Sequence, residues 1–224
     1  MSESGVFSCG RFTSLTLLTL ILVGCVYSEI EQSSTVKPEQ STSDGPNALT
    51  SKKSSAKLTV DVGVVHNARE LTLLKNVFSG VNEIYQQCQI DVSFDTKTIE
   101  LGSGVEITSE AQLRLAEQYK NESPVMFFVP ATDEVDVAFA YLPSLDFAFS
   151  STIWITNRVS EGCLPWIAAH ELGHVLLDSA QHSRMSENVM SVGCKIGNWN
   201  NRVVIPKWTD TQCAALNQSP FLSE

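Results

Sequence analysis

Positive charge is the scarcest resource in this sequence. Fifteen lysines and arginines stand against 25 aspartates and glutamates, a formal net charge of −10. Phosphate backbones are gripped by basic stripes, and none is visible, which argues against nucleic acid as a partner. The acidity itself reads as solubility. No apolar run reaches the roughly 20 residues that a comfortable membrane span needs. No CxxC pair occurs among the 6 cysteines, so a thiolate zinc site is not expected. Internal repeats are missing too. Histidine is rare, with 4 in the chain, and yet His170, His174 and His182 fall close together. What remains is ordinary: 43% hydrophobic residues in 224, enough for the core of one domain with accessory segments.

The first 25 residues differ in kind from the rest. Arg11 is the only basic residue before Leu15–Val23, a run that is apolar apart from Thr16 and Thr19. Its length suits the h-region of a secretory signal. It ends in Leu22-Val23-Gly24-Cys25, which resembles the lipobox of bacterial lipoproteins. That resemblance implies cleavage before Cys25, a lipid on its thiol, and export to a bacterial membrane, on the periplasmic or cell-surface side. Residues 1–24 are then a signal peptide. Residues 25–56 are rich in Ser, Thr, Gln, Glu and Lys, carry Pro38 and Pro46 and have no hydrophobic period, so they read as a flexible tether. Residues 57–224 form the folded domain.

With Cys9 removed and Cys25 lipidated, Cys88, Cys163, Cys194 and Cys213 remain. Four cysteines in an exported chain suggest two disulfides, with three pairings open. Of these, Cys88–Cys213 with Cys163–Cys194 is preferred. The second bond would staple the start of the histidine-bearing helix to the segment after Met190.

Leu58, Val60, Val62 and Val64 alternate with polar or small residues, which predicts a strand. Leu71, Leu74, Phe78, Val81 and Tyr85 repeat at helical spacing. Ile90, Val92 and Phe94 alternate again. Residues 109–119 are rich in helix formers, and Val125–Val129 is an unbroken apolar run typical of a buried strand. Two further strands are predicted around Phe139 and Tyr141 and around Ile153 and Ile155. A helix should start at Pro165 and run to about Leu177. Thr209 and Gln212 have the spacing of a capping box ahead of a last helix through about Asn217. The economical fold is α+β, a twisted mixed sheet with helices packed on it.

His170 and His174 are four residues apart on that helix, so their rings project from one face about 6 Å apart. Both can then reach one zinc ion. Glu171, next to the first of them, is beside the metal but angled away from it, placed to take a proton from the attacking water and pass it to the leaving amine. For the third ligand His182 is favoured, because it lies beyond the helix end where the chain can fold back. Asp178 reads as a helix-end residue, Glu187 as a weaker oxygen ligand, and His66 as structural.

The stretch from His170-Glu171-Leu172-Gly173-His174 through His182-Ser183 to Asn188-Val189-Met190-Ser191 resembles the metzincin metallopeptidases, most of all the matrixins. The resemblance implies one catalytic Zn2+ held by His170, His174 and His182, with Glu171 as general base and Met190 in a turn beneath the metal. It implies a mostly parallel five-stranded sheet whose antiparallel edge strand, around Ala138–Leu142, pairs with a peptide or protein substrate. It also implies that residues 192–199 wall the pocket for the side chain following the cut. Two departures stand out. The family glycine is Leu177 here, and His182 comes two residues later than the pattern. The longer link Leu177-Asp178-Ser179-Ala180-Gln181 is expected to make the reversal instead. The competing function is a zinc-stabilised binding lipoprotein without activity. Glu171 argues against it, because a purely structural site has no use for a base and is usually closed by a fourth protein ligand. Substrate preference and oligomeric state are not legible.

Overall fold

The computed structural model describes residues 55–101, 107–120, 122–145, 149–194 and 205–223. The signal peptide, Cys25, nearly all of the tether, the loop at Asp146 and the pocket-wall residues 195–199 lie outside them. Among the described residues no helix is long and apolar enough to cross a membrane.

In chain order the elements are β1 (Ala56–Val65), α1 (Leu71–Gln86), β2 (Ile90–Ile99), α2 (Ser109–Tyr119), β3 (Val125–Val129), β4 (Ala138–Ala140), β5 (Thr152–Thr156), a 3-10 turn (Glu161–Cys163), α3 (Leu164–Leu177) and α4 (Asp210–Leu216). The five strands form one sheet in the order β2-β1-β3-β5-β4. All neighbours are parallel except β4, which runs antiparallel to β5 at the edge. The fold is thus the expected mixed α+β architecture.

Burial explains the strand sequences. β3 and β5, in the middle of the sheet, are buried at every residue, so Val-Met-Phe-Phe-Val and Thr-Ile-Trp-Ile-Thr need no alternation. Successive side chains still point to opposite faces. Phe127 stacks on Trp154 and meets Tyr119 of α2 edge-on, whereas Phe128 meets Phe78 of α1. The two helices therefore cover opposite faces. α3 packs with α1, β4 and β5, and Gly80 lets α1 come close: a Cβ there would stand 2.8 Å from Cβ of Pro165.

The expected disulfides are both formed, Cys88–Cys213 with Cα atoms 4.9 Å apart and Cys163–Cys194 at 5.7 Å. The first pins α4 to the turn after α1. The second joins the start of α3 to the chain after Met190. Ser223 pairs with Lys57, which ties the end of the chain to the first strand.

Candidate metal centre

α3 is apolar on all sides, as a helix buried between a sheet and two other helices must be. Its buried residues include His170, Glu171 and His174. Polar groups in such a place need partners. For the two histidines the partners are backbone carbonyls: His170 Nδ1 lies 2.8 Å from the Val189 oxygen, and His174 Nδ1 lies 2.6 Å from the Ser179 oxygen. A carbonyl can only accept, so each Nδ1 carries the proton and each Nε2 presents a lone pair.

Those two lone pairs face one another, with the Nε2 atoms 3.0 Å apart. Neither nitrogen has a proton left to donate to the other. Two acceptors at this distance repel unless a cation lies between them. Zinc–nitrogen bonds of about 2.0–2.1 Å at tetrahedral angles put ligand atoms about 3.4 Å apart, close to the spacing here. His182 completes the group, with one ligand atom from each of the three residues within 4.8 Å of the others. Its ring lies parallel to that of His170 at 5.2 Å and perpendicular to that of His174 at 4.9 Å. The donor set fits a divalent zinc ion.

The local electrostatics agree with this. Burial pushes the His170 ring down to about 3, helped by neighbouring His174 and His182 and opposed by the Val189 bond. Burial pushes His174 down to about 4, opposed by the Ser179 bond. His182 is lowered by burial as well. All three are neutral ligands at pH 7, so metal does not have to displace protons from them. Glu171 is driven the other way, up to about 8, by burial first and then by the negative charge of Asp136. A buried carboxyl held this way is of the kind that proton-transfer sites use.

The reversal that brings His182 back is sharper than the sequence suggested. It is made by Asp178 in the left-handed region, at φ 43° and ψ 48°, which caps α3. Its N–H is directed to the carbonyls of His174 and Val175, and that of Ser179 to the His174 carbonyl. Asp178 thus makes the turn one position after Leu177, where the resembling family has glycine. Aspartate tolerates this conformation better than most residues, and Oδ1 accepts from the Ser144 N–H at 3.0 Å. The same turn aims the Ser179 carbonyl at His174.

Met190 is buried against α3. A Cβ on Gly173 would stand 2.6 Å from its Sδ and 2.8 Å from Cη2 of Trp208. Ser183, beside His182, donates its N–H to the Met190 carbonyl at 2.7 Å, so the segment that carries the third histidine is tied to the chain at Met190. Sequence reasoning missed Asn188 as more than a turn residue. It is 2% exposed, and its amide links the turn to Lys207 and Gln212. The only signal was a polar residue before an apolar pair. Cys25 lies outside the described residues.

No family model matches the chain. No curated protein matches it in sequence. The fold, however, has a solved counterpart. Metalloproteinase-II from Bacteroides fragilis shares it, with a TM-score of 0.53 at 14% identity, over 75% of this chain and 54% of that one. This chain therefore spans about half the length of that structure. Archaemetzincin from Methanopyrus kandleri gives a TM-score of 0.47 at 15% identity, over 75% of this chain and 97% of that chain. At 14% identity the likeness to the Bacteroides fragilis structure is one of fold.

Proposed function

We propose that this chain is a zinc-dependent endopeptidase of metzincin type, closest in its motif to the matrixins. The observation that carries the reading is the pair of Nε2 lone pairs 3.0 Å apart on α3, closed by His182. His170, His174 and His182 would hold one zinc ion. When bound, zinc supplies Lewis-acid chemistry, acidifying a water and polarising a peptide carbonyl. The rest falls to the protein. The Val189 and Ser179 carbonyls keep both helical imidazoles in the ligating tautomer. Glu171, next to His170 on the helix and 4% exposed, takes a proton from the attacking water and returns it to the leaving amine. With a cation held by the three histidines, Glu171 would be ionised at neutral pH and able to act as the base. Among the described residues β4 pairs on one side only, with β5, and its other side would offer backbone groups to an extended peptide, fixing the scissile bond relative to the histidines.

The reading extends to location. Export and anchoring through a lipid on Cys25 rest on the sequence Leu22-Val23-Gly24-Cys25, and mass spectrometry of the mature N-terminus tests them. A terminus that starts elsewhere, or an unmodified Cys25, overturns the anchor without touching the peptidase reading.

The peptidase itself is tested by Glu171→Gln. Zinc content should equal that of the parent, and cleavage of a generic peptide library should fall by a factor of about 10²–10⁴, the usual size of a lost general base. Cleavage that persists at the parent rate would remove Glu171 from the mechanism.

A further inference from the structure

Metal ligation by His170 depends on one carbonyl, and that carbonyl belongs to a peptide unit held from both ends. The unit joins Val189 to Met190. Its oxygen is 2.8 Å from His170 Nδ1 and accepts from Trp166 Nε1 at 3.2 Å. Its N–H, on Met190, donates to Asn188 Oδ1 at 2.9 Å. A peptide group is planar. Whatever fixes the N–H therefore fixes the direction of the C=O.

Asn188 is in turn held at every polar position. Its Nδ2 donates to the Lys207 carbonyl at 2.9 Å and to Gln212 Oε1 at 2.7 Å, and its Oδ1 also accepts from Gln212 Nε2 at 3.1 Å. Gln212 Oε1 accepts from the Thr209 N–H at 3.0 Å. The amide pair is thus seated on the cap of α4, the helix that Cys88–Cys213 pins to the body of the domain.

We infer that Asn188, backed by Gln212, is a positioning residue for the metal site: it clamps the Val189–Met190 peptide plane and so fixes the Nδ1–H tautomer of His170. The alternative state is easy to picture. If the peptide turns over, an N–H replaces the carbonyl opposite His170 Nδ1. The proton then moves to Nε2, and the lone pair that faces His174 is gone. Among the described residues, Asn188 is the side chain that holds the Met190 N–H. The inference rests on the proposed zinc site, but the tautomer can be read without metal.

The experiment uses the full chain and three variants: Asn188→Ala, Gln212→Met and Asn217→Ala. The last disturbs the far end of α4, where Asn217 Nδ2 donates to the Cys88 carbonyl at 3.0 Å and the Cys213 carbonyl at 2.9 Å, and touches neither Asn188 nor Gln212. Two quantities are read: zinc affinity by competition with a chromophoric chelator, and the imidazole tautomers of the metal-free protein by long-range 1H–15N NMR. Partners behind a ligand typically carry 10–100-fold in affinity. Asn188→Ala should weaken zinc binding about tenfold or more and give His170 a mixture of tautomers. Gln212→Met should do the same to a smaller degree. Asn217→Ala should keep the parent affinity and the single Nδ1–H form. A folded Asn188→Ala protein with parent affinity and a single tautomer overturns the inference; if that variant does not fold, the same result in Gln212→Met does so. A parent protein that takes no zinc would end the proposed function, while the tautomer of metal-free His170 would still decide this one.

Discussion

At the scale of single residues, the site is a problem of protons. Three imidazoles share a small buried volume, and each is neutral because burial makes its charged form costly. This has a consequence for stability. Above pH 6.5 the rings are neutral in both the folded and unfolded chain and contribute no pH dependence. Below it the unfolded chain binds protons that the folded one refuses until about pH 4 for His174 and about pH 3 for His170. Glu171, held protonated up to about pH 8, works in the opposite sense, adding stability as pH falls from 8 to about 4.5. The rings are therefore read in metal-free Glu171→Gln, which should lose stability steadily as pH falls from 6.5 towards 4 and 3. Urea unfolding of that variant at pH 7.5, 6 and 5 checks the sign; an unchanged midpoint would mean the rings are solvated. Of these residues, His170, Glu171 and His174 were legible because helical geometry dictates what positions i, i+1 and i+4 share. His182 was legible only as a ligand type beyond the helix end. Asn188 was not, because its role depends on Lys207 and Gln212, which come near it only in the folded chain.

At the scale of elements, α3 and its C-terminal turn do most of the positioning. The turn was expected from a longer link, yet it is made by one residue. No pattern in the sequence marks Asp178 as left-handed, since aspartate is equally at home at a helix end. Asp178→Ala should cost about 1–2 kcal/mol for the left-handed backbone, whereas Asp178→Gly should keep the turn and lose only the bond to Ser144. Thermal unfolding of the two separates backbone strain from that bond; equal losses would put the stabilisation in the carboxylate instead. Gly173 is the second constraint, since a Cβ there stands 2.6 Å from Met190 Sδ and 2.8 Å from Cη2 of Trp208. Gly173→Ala should destabilise by about 1–3 kcal/mol through overpacking, seen as a lower denaturant midpoint at unchanged slope. The strands were easier to read. Alternation at Leu58–Val64 and the unbroken Val125–Val129 each have one simple structural solution, whereas β4 is only Ala138–Ala140, too short for its ends to be marked by periodicity.

At the scale of the described molecule, a sheet and two disulfides hold the segments that follow α3 to the rest of the fold. Cys88–Cys213 closes a separation of 125 residues and anchors α4, on which the amide pair behind Val189 rests. Replacing both cysteines by alanine should cost about 2–5 kcal/mol, measured by chemical unfolding under oxidising conditions. The sheet order could not be read from spacing alone, because placing β3 between β1 and β5 is a choice among crossovers. The resemblance carried by residues 170–190 implied a mostly parallel five-stranded sheet with an antiparallel edge strand, which the structure has; it did not imply the order of the strands. The claim on which the account stands is that α3 and His182 build a catalytic zinc site. Anomalous diffraction at the zinc edge from crystals of the full chain tests it most directly. The account predicts one peak at about 2.0–2.1 Å from nitrogens of His170, His174 and His182, with no protein atom in the fourth position. A peak elsewhere, or a fourth protein ligand closing the site, would contradict it.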